Sequence, residues 1–320
     1  MSIGADDNYP VELRAPDIQP FRAGNTGIPY FTRFESGRAG PHALVLAVTH
    51  GNELCGAIAV TRLFETGFLP ALGSVTLGFA NVAAFQRFDP KDPGNSRYVD
   101  EDFNRVWDKV TLDGPRRSVE LARAREMRPL IDTVDFLLDI HSMQQATDPL
   151  MLAGLLPRST AFARKVGVPP LIVRDAGHAA GRRLRDYGRF GDPAANATAL
   201  LVECGQHWEA SSESVAWETA LRFLDALKLL TPAYRARHFD LPDPAPQQAI
   251  EVTDAVTITT DRFRFLGDFR GQEVIAEAGT LIALDDEREI RSPYPNCVLI
   301  MPSRRLMRGQ TAVRLGRFVE

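Results

Sequence analysis

One stretch of the chain, residues 43–53, constrains the interpretation of the rest, and it runs Ala43-Leu44-Val45-Leu46-Ala47-Val48-Thr49-His50-Gly51-Asn52-Glu53. Its first six residues are all apolar, as expected for a strand buried on both faces inside a parallel sheet. His50 and Glu53 follow directly, and an imidazole and a carboxylate three positions apart can bind one metal ion. Ligands bind at the carboxyl edge of open α/β sheets, so position and chemistry agree. The stretch predicts a metal site at a strand end.

The composition is that of an ordinary globular protein. A chain of 320 residues with 44% hydrophobic content can bury a substantial core, and its length suggests one large domain plus a smaller one. The formal net charge of -4 and the pI near 5.9 give no general attraction to nucleic acid. Any anionic ligand must therefore be bound by locally placed arginines.

Cysteine usage and hydropathy bear on the compartment. The three cysteines lie far apart and fit a reducing compartment better than a disulfide framework. The first seven residues lack the apolar core of a signal peptide, and no later run is long enough to span a bilayer. We therefore expect a cytoplasmic protein that binds neither nucleic acid nor membrane, while its oligomeric state, monomer or homo-oligomer, stays open.

Apolar runs alternate with helical patterns over the first two thirds of the chain. Buried strands are predicted at residues 43–48, 75–80, 136–140 and 199–202. Helices are predicted at residues 54–64, 119–134 and 215–230, with Pro129 expected to kink the second and Ser212 expected to cap the third. This alternation predicts an α/β fold with a parallel or mixed sheet covered by helices on both faces.

A polar, proline-punctuated stretch begins at Thr231 and is typical of a linker. It predicts a boundary near residue 245, between a larger domain over residues 1–240 and a small all-β domain over residues 246–320. Short strands are expected in the small domain at residues 255–259, 280–284, 298–301 and 312–315.

A third metal ligand is expected at His141, which also ends an apolar run. Two histidines and one glutamate leave the fourth position of tetrahedral zinc free, the arrangement typical of catalytic zinc. Asp139, two residues earlier on the same strand face, suits a role orienting an imidazole. Manganese or cobalt could occupy a similar ligand set.

Catalysis by such a site needs a proton acceptor and positive charge. Glu203 ends the fourth apolar run and is the candidate general base. The polar segment from Arg97 to Trp107 supplies two arginines, with Asn104 beside the second, Arg105. Such residues can stabilise an oxyanion or bind a carboxylate.

These motifs together resemble the aspartoacylase and succinylglutamate desuccinylase family, which is related to the zinc carboxypeptidases. The similarity covers most of the chain and comprises, in the family's order, His50-Gly51-Asn52-Glu53, Arg97-Tyr98, Asp102-Phe103-Asn104-Arg105, Asp139-Ile140-His141, and Glu203 with Gly205. It implies a carboxypeptidase-like mixed sheet flanked by helices, a small β-barrel-like C-terminal domain, and zinc-dependent hydrolysis of the amide in a small N-acyl amino acid.

The resemblance also implies a role for each matched residue. His50, Glu53 and His141 would bind Zn²⁺, Glu203 would activate water, and Arg97 would face the oxyanion. Asn104 and Arg105 would hold a carboxylate of the substrate.

The sequence departs from aspartoacylase at two positions that affect substrate choice. Residues 192–196 stand where aspartoacylase has an arginine for the aspartate side chain, and no motif places a substitute among Arg182, Arg183, Arg185 and Arg189. A C-terminal tyrosine that reaches the site in some relatives has no clear match, Tyr294 being the only tyrosine in that region.

The same residues admit other interpretations. His141 alone would be expected to be a hydrogen-bonded buried histidine, and Glu203 could pair with an arginine instead of accepting a proton. The same ligands would suit a carboxypeptidase-like hydrolase of short peptides, or a zinc-containing binding protein without activity. The ordered set of residues favours a zinc amidohydrolase that deacylates an N-acyl amino acid.

Overall fold

The computed structural model describes residues 9–177 and 180–319. The first seven residues, on which the signal-peptide expectation depends, lie outside these ranges. Among the described residues, no helix has both the length and the apolar character needed to cross a bilayer.

Fourteen strands and seven α-helices are formed within the described ranges. The strands are β1 Phe31–Glu35, β2 His42–Ala47, β3 Ser74–Phe79, β4 Phe136–Met143, β5 Leu150–Leu152, β6 Leu171–Arg174, β7 Thr198–Gln206, β8 Gln248–Thr257, β9 Phe263–Phe265, β10 Val274–Ile275, β11 Leu281–Asp285, β12 Arg288–Arg291, β13 Cys297–Ile300 and β14 Thr311–Val319. The helices are α1 Leu54–Glu65, α2 Val82–Phe85, α3 Lys109–Asp113, α4 Val119–Ile131, α5 Pro157–Val166, α6 Ala210–Ala226 and α7 Pro232–His238.

The predicted mixed sheet is confirmed. Its strand order is β1-β3-β2-β4-β7-β5-β6-β8-β14-β13-β10. Strands β3, β2, β4 and β7 pair in parallel with one another. Strand β1 pairs antiparallel to β3, and β5 pairs antiparallel to β7 but parallel to β6. The four strands predicted from apolar runs are β2, β3, β4 and β7, so the carboxyl ends of β2, β4 and β7 meet at one edge.

Helices cover both faces of this sheet, as expected from the double-sided apolar pattern of β2. Val45 belongs to the core cluster that includes Leu63 of α1 and Phe223 of α6. Leu46, the next residue, belongs to a second cluster with Leu121 of α4. Successive residues of a strand point to opposite faces, so an uninterrupted apolar run fills two cores.

Two local predictions were wrong near α6 and α7. Ser212 does not cap α6, because the helix begins at Ala210 and the Ser212 hydroxyl donates to the Glu209 carbonyl at 2.7 Å. The expected linker after Thr231 begins with the helix α7, in which Pro232 stands at the first position and the Thr231 hydroxyl accepts from the amide of Tyr234. A proline in the first helical turn favours a helix start.

The C-terminal segment is all β, as predicted. Strands β8, β14, β13 and β10 pair antiparallel, and β12, β11 and β9 form a separate three-stranded sheet. Strand β8 begins at Gln248, seven residues before the predicted start, and pairs in parallel with β6. The hydrogen-bonded sheet is therefore continuous across residue 245, and an independent domain over residues 246–320 stays a prediction.

Candidate metal centre and active site

The turn that leaves β2 is held closely against the loop that carries Arg97. A Cβ added at Gly51 would lie 2.3 Å from the carbonyl oxygen of Ser96 and 2.4 Å from the carbonyl carbon of Ala84. The Gly51 amide donates to the Arg97 carbonyl at 3.0 Å. Glycine is therefore required for the close approach, which brings Arg97 beside His50.

Replacing Gly51 with alanine should destabilise the fold, because the new methyl group meets backbone atoms that cannot move independently. We expect the free energy of unfolding to fall by about 1–3 kcal/mol. Chemical denaturation in the presence of a chelator measures the change without a contribution from bound metal. Gly94→Ala is the matched control, since a Cβ there meets nothing within 4 Å. Equal stability of the two variants would contradict the packing argument.

The three predicted metal ligands meet at the sheet edge. Nδ1 of His50 lies 2.7 Å from one carboxylate oxygen of Glu53, and Nδ1 of His141 lies 2.9 Å from the other. One ligand atom from each of the three residues lies within 4.8 Å of the others. All three side chains are buried. The structure therefore brings together the donor set that sequence spacing predicted.

The second nitrogen of each imidazole faces a carboxylate. Nε2 of His141 lies 2.9 Å from Asp139, whose other oxygen accepts a hydrogen bond from the Thr49 hydroxyl at 2.8 Å. Nε2 of His50 lies 3.0 Å from Asp102. Carboxylates in these positions orient metal-binding imidazoles and raise their basicity. Asp139 was expected in this role, whereas Asp102 was missed because only the fold brings it to His50.

The electrostatics of this group suit a cation. Burial raises the pKa of Glu53, but the two imidazoles outweigh it and hold that pKa well below its ordinary range. Burial lowers the pKa of His141, but Asp139 and Glu53 outweigh it and hold that pKa well above its ordinary range. Three buried or partly buried carboxylates, Glu53, Asp139 and Asp102, surround two imidazoles. The residues present therefore fit a divalent metal with nitrogen and oxygen ligands.

Glu203 lies beside this group on the neighbouring strand. Its Cα is the register partner of His141 between β4 and β7. The side chain is buried, and its Oε2 has no hydrogen-bond partner among the described residues. Burial raises its pKa to about 8; the Glu53 charge adds to the shift and His141 opposes it. A buried carboxylate with a free oxygen is suited to accept a proton.

Arg97 contacts the ligand set directly. Its Nη2 lies 2.9 Å from Nε2 of His50 and 3.1 Å from Asp102, and its Nη1 lies 3.5 Å from Glu53. Burial disfavours the charged guanidinium, but Asp102 and Glu53 outweigh it and raise the pKa of Arg97. A fixed positive charge is thus held next to the predicted metal position.

Asn104 and Arg105 lie farther along the same loop. The Asn104 side-chain oxygen accepts from the Leu184 amide at 2.9 Å, so this side chain joins two loops. Nη1 of Arg105 donates to the Asn104 carbonyl at 2.8 Å. Burial lowers the pKa of Arg105 to about 10; Asp102 opposes this, while Arg97 and other arginines add to it. The structure thus places Arg105 in a strongly cationic region.

Other arginines gather around Asp175. Nη1 of Arg183 and Nε of Arg314 lie 3.0 and 3.1 Å from the same Asp175 oxygen, and Nη2 of Arg185 donates to the Asp175 carbonyl at 3.2 Å. All three arginines are buried. Arg314 comes from β14 and was missed, since no motif marks it and only the sheet brings it here.

Other residues that the sequence analysis considered for substrate binding, Arg182, Arg189 and Tyr294, lie elsewhere. Arg189 pairs with Asp135 at 3.1 Å near the surface, and Arg182 is exposed. The Tyr294 hydroxyl bonds to the Thr253 hydroxyl at 2.5 Å and packs against the C-terminal core. A further histidine close to Glu203 in sequence, His207, is buried, with Nδ1 2.9 Å from the Ser142 hydroxyl, and burial lowers its pKa to about 3.

Comparisons with solved structures agree with the fold. The fold is similar to those of succinylglutamate desuccinylase from Vibrio parahaemolyticus (16% identity, 91% of this chain and 87% of that one, TM-score 0.64) and from Vibrio cholerae (16%, 90% and 85%, 0.65). It is also similar to the product-bound ectoine utilization protein EutE (DoeB) from Ruegeria pomeroyi (20%, 89% and 88%, 0.59). No curated protein sequence matches the chain.

A family profile provides the decisive comparison. The profile described as the succinylglutamate desuccinylase/aspartoacylase catalytic domain matches residues 39–220, more than half of the chain. The matched segment holds the three predicted metal ligands, the loop from Arg97 to Arg105, and Glu203. The chain therefore belongs to the succinylglutamate desuccinylase/aspartoacylase family of enzymes, which remove acyl groups from acyl amino acids by hydrolysis.

Proposed function

We propose that this protein is a zinc-dependent amidohydrolase that releases the acyl group of an N-acyl amino acid. One observation carries the proposal: ligand atoms of His50, Glu53 and His141 lie within 4.8 Å of one another, and a carboxylate lies against the second nitrogen of each imidazole. Glu203 stands on the next strand, with an Oε2 that has no hydrogen-bond partner among the described residues. The donor set fits zinc, and family membership supplies the reaction class.

In this proposal, His50, Glu53 and His141 hold Zn²⁺. Asp102 lies against Nε2 of His50 and Asp139 against Nε2 of His141. Both Nδ1 atoms therefore face Glu53 and the metal position. Zinc held there would polarise the scissile carbonyl and make water more acidic.

Glu203 is the general base. Its free Oε2 accepts the proton of the attacking water and returns it to the leaving amine nitrogen, so no covalent intermediate with the protein is required. Arg97 supplies positive charge for the oxyanion, which forms on the carbonyl oxygen when water adds to the carbonyl carbon. Its guanidinium is already fixed by Asp102, so little reorganisation is needed during the reaction.

Asn104 and Arg105 bind a carboxylate of the substrate. The arginine fork suits a planar carboxylate, and a bound carboxylate would offset the burial that lowers the pKa of Arg105. The buried arginines around Asp175 favour substrates that carry a further anionic group. Because Arg314 comes from β14, the proposed C-terminal domain would contribute to this region.

A substrate panel tests the proposal. Zinc-loaded protein is assayed with N-acetyl and N-succinyl amino acids and with dipeptides, and release of primary amine is measured. Faster cleavage of the N-acyl amino acids is the expected result. Preference for dipeptides would indicate a short-peptide hydrolase, and no cleavage by fully zinc-loaded protein would indicate a binding protein.

Arg105→Ala should weaken binding of substrates with a free carboxylate and leave amidated analogues unaffected. Loss of a charge-assisted contact of this kind corresponds to a KM increase of about 10- to 100-fold. Arg189→Ala is the matched control, because that arginine pairs with Asp135 near the surface. If Arg105→Ala discriminates between carboxylate and amide as well as the unaltered protein does, the assignment of Arg105 is wrong.

A further inference from the structure

Glu120, in the first turn of α4, is a fully buried carboxylate that the chemistry above does not use. Its Oε1 accepts hydrogen bonds from the Asn81 side-chain amide at 3.1 Å and from the Val99 amide at 2.6 Å. Its Oε2 accepts from the amides of Asp100 at 3.0 Å and Glu101 at 3.3 Å. Three consecutive backbone amides thus converge on one buried side chain.

The loop binds back to the start of α4. A carboxylate oxygen of Asp100 accepts from the Val119 amide at 2.7 Å, and a carboxylate oxygen of Glu101 accepts from the Ser118 hydroxyl at 2.5 Å. Arg116 pairs with the other oxygen of Glu101 at 2.7 Å. Residues 99–101 therefore donate hydrogen bonds to Glu120 of α4, and residues at the start of α4 donate hydrogen bonds back to the side chains of the loop. Glu120 is the buried acceptor in this set.

This loop carries site residues at both ends. Arg97 precedes Val99 by two positions, and Asp102 follows Glu101 directly. Asp102 contacts both Arg97 and Nε2 of His50. A change in the backbone of residues 99–101 would therefore move the guanidinium and the carboxylate that lie against the proposed metal ligands.

We propose that Glu120 is a positioning residue of the active site. Its carboxylate fixes residues 99–101 by hydrogen bonds to a charged acceptor, which are stronger than those to a neutral one. It thereby sets where Arg97 and Asp102 stand relative to His50. The kinetic part of this proposal rests on the proposed deacylase function, whereas the structural part can be measured without any substrate.

Glu120→Gln tests the proposal with almost no change in shape. A glutamine amide must turn its NH₂ group toward at least one of the backbone amides, which replaces a hydrogen bond with a donor–donor contact. With zinc at saturating concentration, we expect kcat to fall about 10- to 100-fold in folded protein. Glu126→Gln is the matched control on the same helix, since that side chain is exposed and pairs with Arg123; it should keep full activity.

Amide hydrogen exchange supplies the readout that needs no turnover. The amides of Val99, Asp100 and Glu101 should be protected in the unaltered protein and in Glu126→Gln. They should exchange at least 10-fold faster in Glu120→Gln, with protection of the β4 amides unchanged. Normal protection with kcat within twofold of the unaltered protein would overturn the proposal, as would normal kcat despite faster exchange.

Two further outcomes are distinguishable. If the unaltered protein hydrolyses no substrate of the panel, the proposed function fails, and exchange at residues 99–101 alone decides whether Glu120 fixes the loop. If Glu120→Gln does not fold, Asp100→Ala replaces it, because the Asp100 side chain is exposed and, among the described residues, its loss removes the bond to the Val119 amide alone. Faster exchange with a several-fold lower kcat is expected, and unchanged values for both would overturn the proposal.

Discussion

Glu203→Gln is expected to remove most turnover while zinc stays bound. Glutamine keeps the size and hydrogen-bonding capacity of the side chain but cannot take up a proton at neutral pH, so the attacking water loses its base. General-base catalysis typically contributes about 10²- to 10⁴-fold to the rate, and kcat should fall by that amount. Initial rates of amine release give kcat, and atomic emission gives the zinc content of the same sample.

Glu209→Gln is the control for this experiment. Glu209 is an exposed residue that precedes α6 and lies six positions after Glu203, so its replacement should leave kcat and zinc content unchanged. Near-normal kcat in Glu203→Gln would show that another group accepts the proton. Loss of zinc in that variant would instead place Glu203 among the ligands.

His141→Ala is expected to lose both the metal and the activity. Two remaining ligands, His50 and Glu53, cannot hold zinc as three do, and Asp139 would be left buried without the imidazole that it contacts. We expect zinc content to fall from about one to below about 0.1 per chain, with activity reduced at least about 10³-fold. Metal analysis after dialysis, followed by the amine-release assay, measures both.

His238→Ala is the control for that experiment, because His238 ends α7 and contacts Tyr234 instead of the site. It should retain zinc and turnover. Full zinc content in His141→Ala would mean that the metal is held by other residues, and the ligand assignment would be wrong.

Three of the site residues predicted from sequence share one property. His50, His141 and Glu203 each follow an apolar run that forms a central strand of the sheet. Parallel strands end at a common edge, so residues far apart in sequence are brought together by a rule that requires no knowledge of the loops. The alternation of side chains along a strand predicted Asp139, which shares a strand face with His141.

The parts that sequence did not predict depend on contacts between loops or between distant strands. Asp102 reaches His50 across 52 positions through the loop that Glu120 fixes. Arg314 reaches Asp175 only because β8 joins β6 to β14 in one sheet. Asp102, Glu120 and Arg314 do not lie at a spacing that a local pattern could detect.

Local sequence patterns also gave the wrong start for the helix α6 and the strand β8. Serine is a residue type favoured at helix N-caps, yet α6 begins before Ser212, and the Ser212 hydroxyl donates to the Glu209 carbonyl. The first part of β8 was missed because two exposed polar residues, Thr253 and Asp254, precede the predicted strand, although Asp254 and residues 249–252 pair with β14. Pairing with neighbouring strands outweighed local composition there.

The most direct test of the account is a zinc-edge anomalous difference map from crystals of the zinc-loaded protein. We predict one strong peak per chain, bonded to Nδ1 of His50, Nδ1 of His141 and a carboxylate oxygen of Glu53 at about 2.0–2.2 Å. Glu203 should lie nearby without bonding to the ion. A peak elsewhere in the chain, or no peak between these three side chains in zinc-loaded crystals, would contradict the central claim.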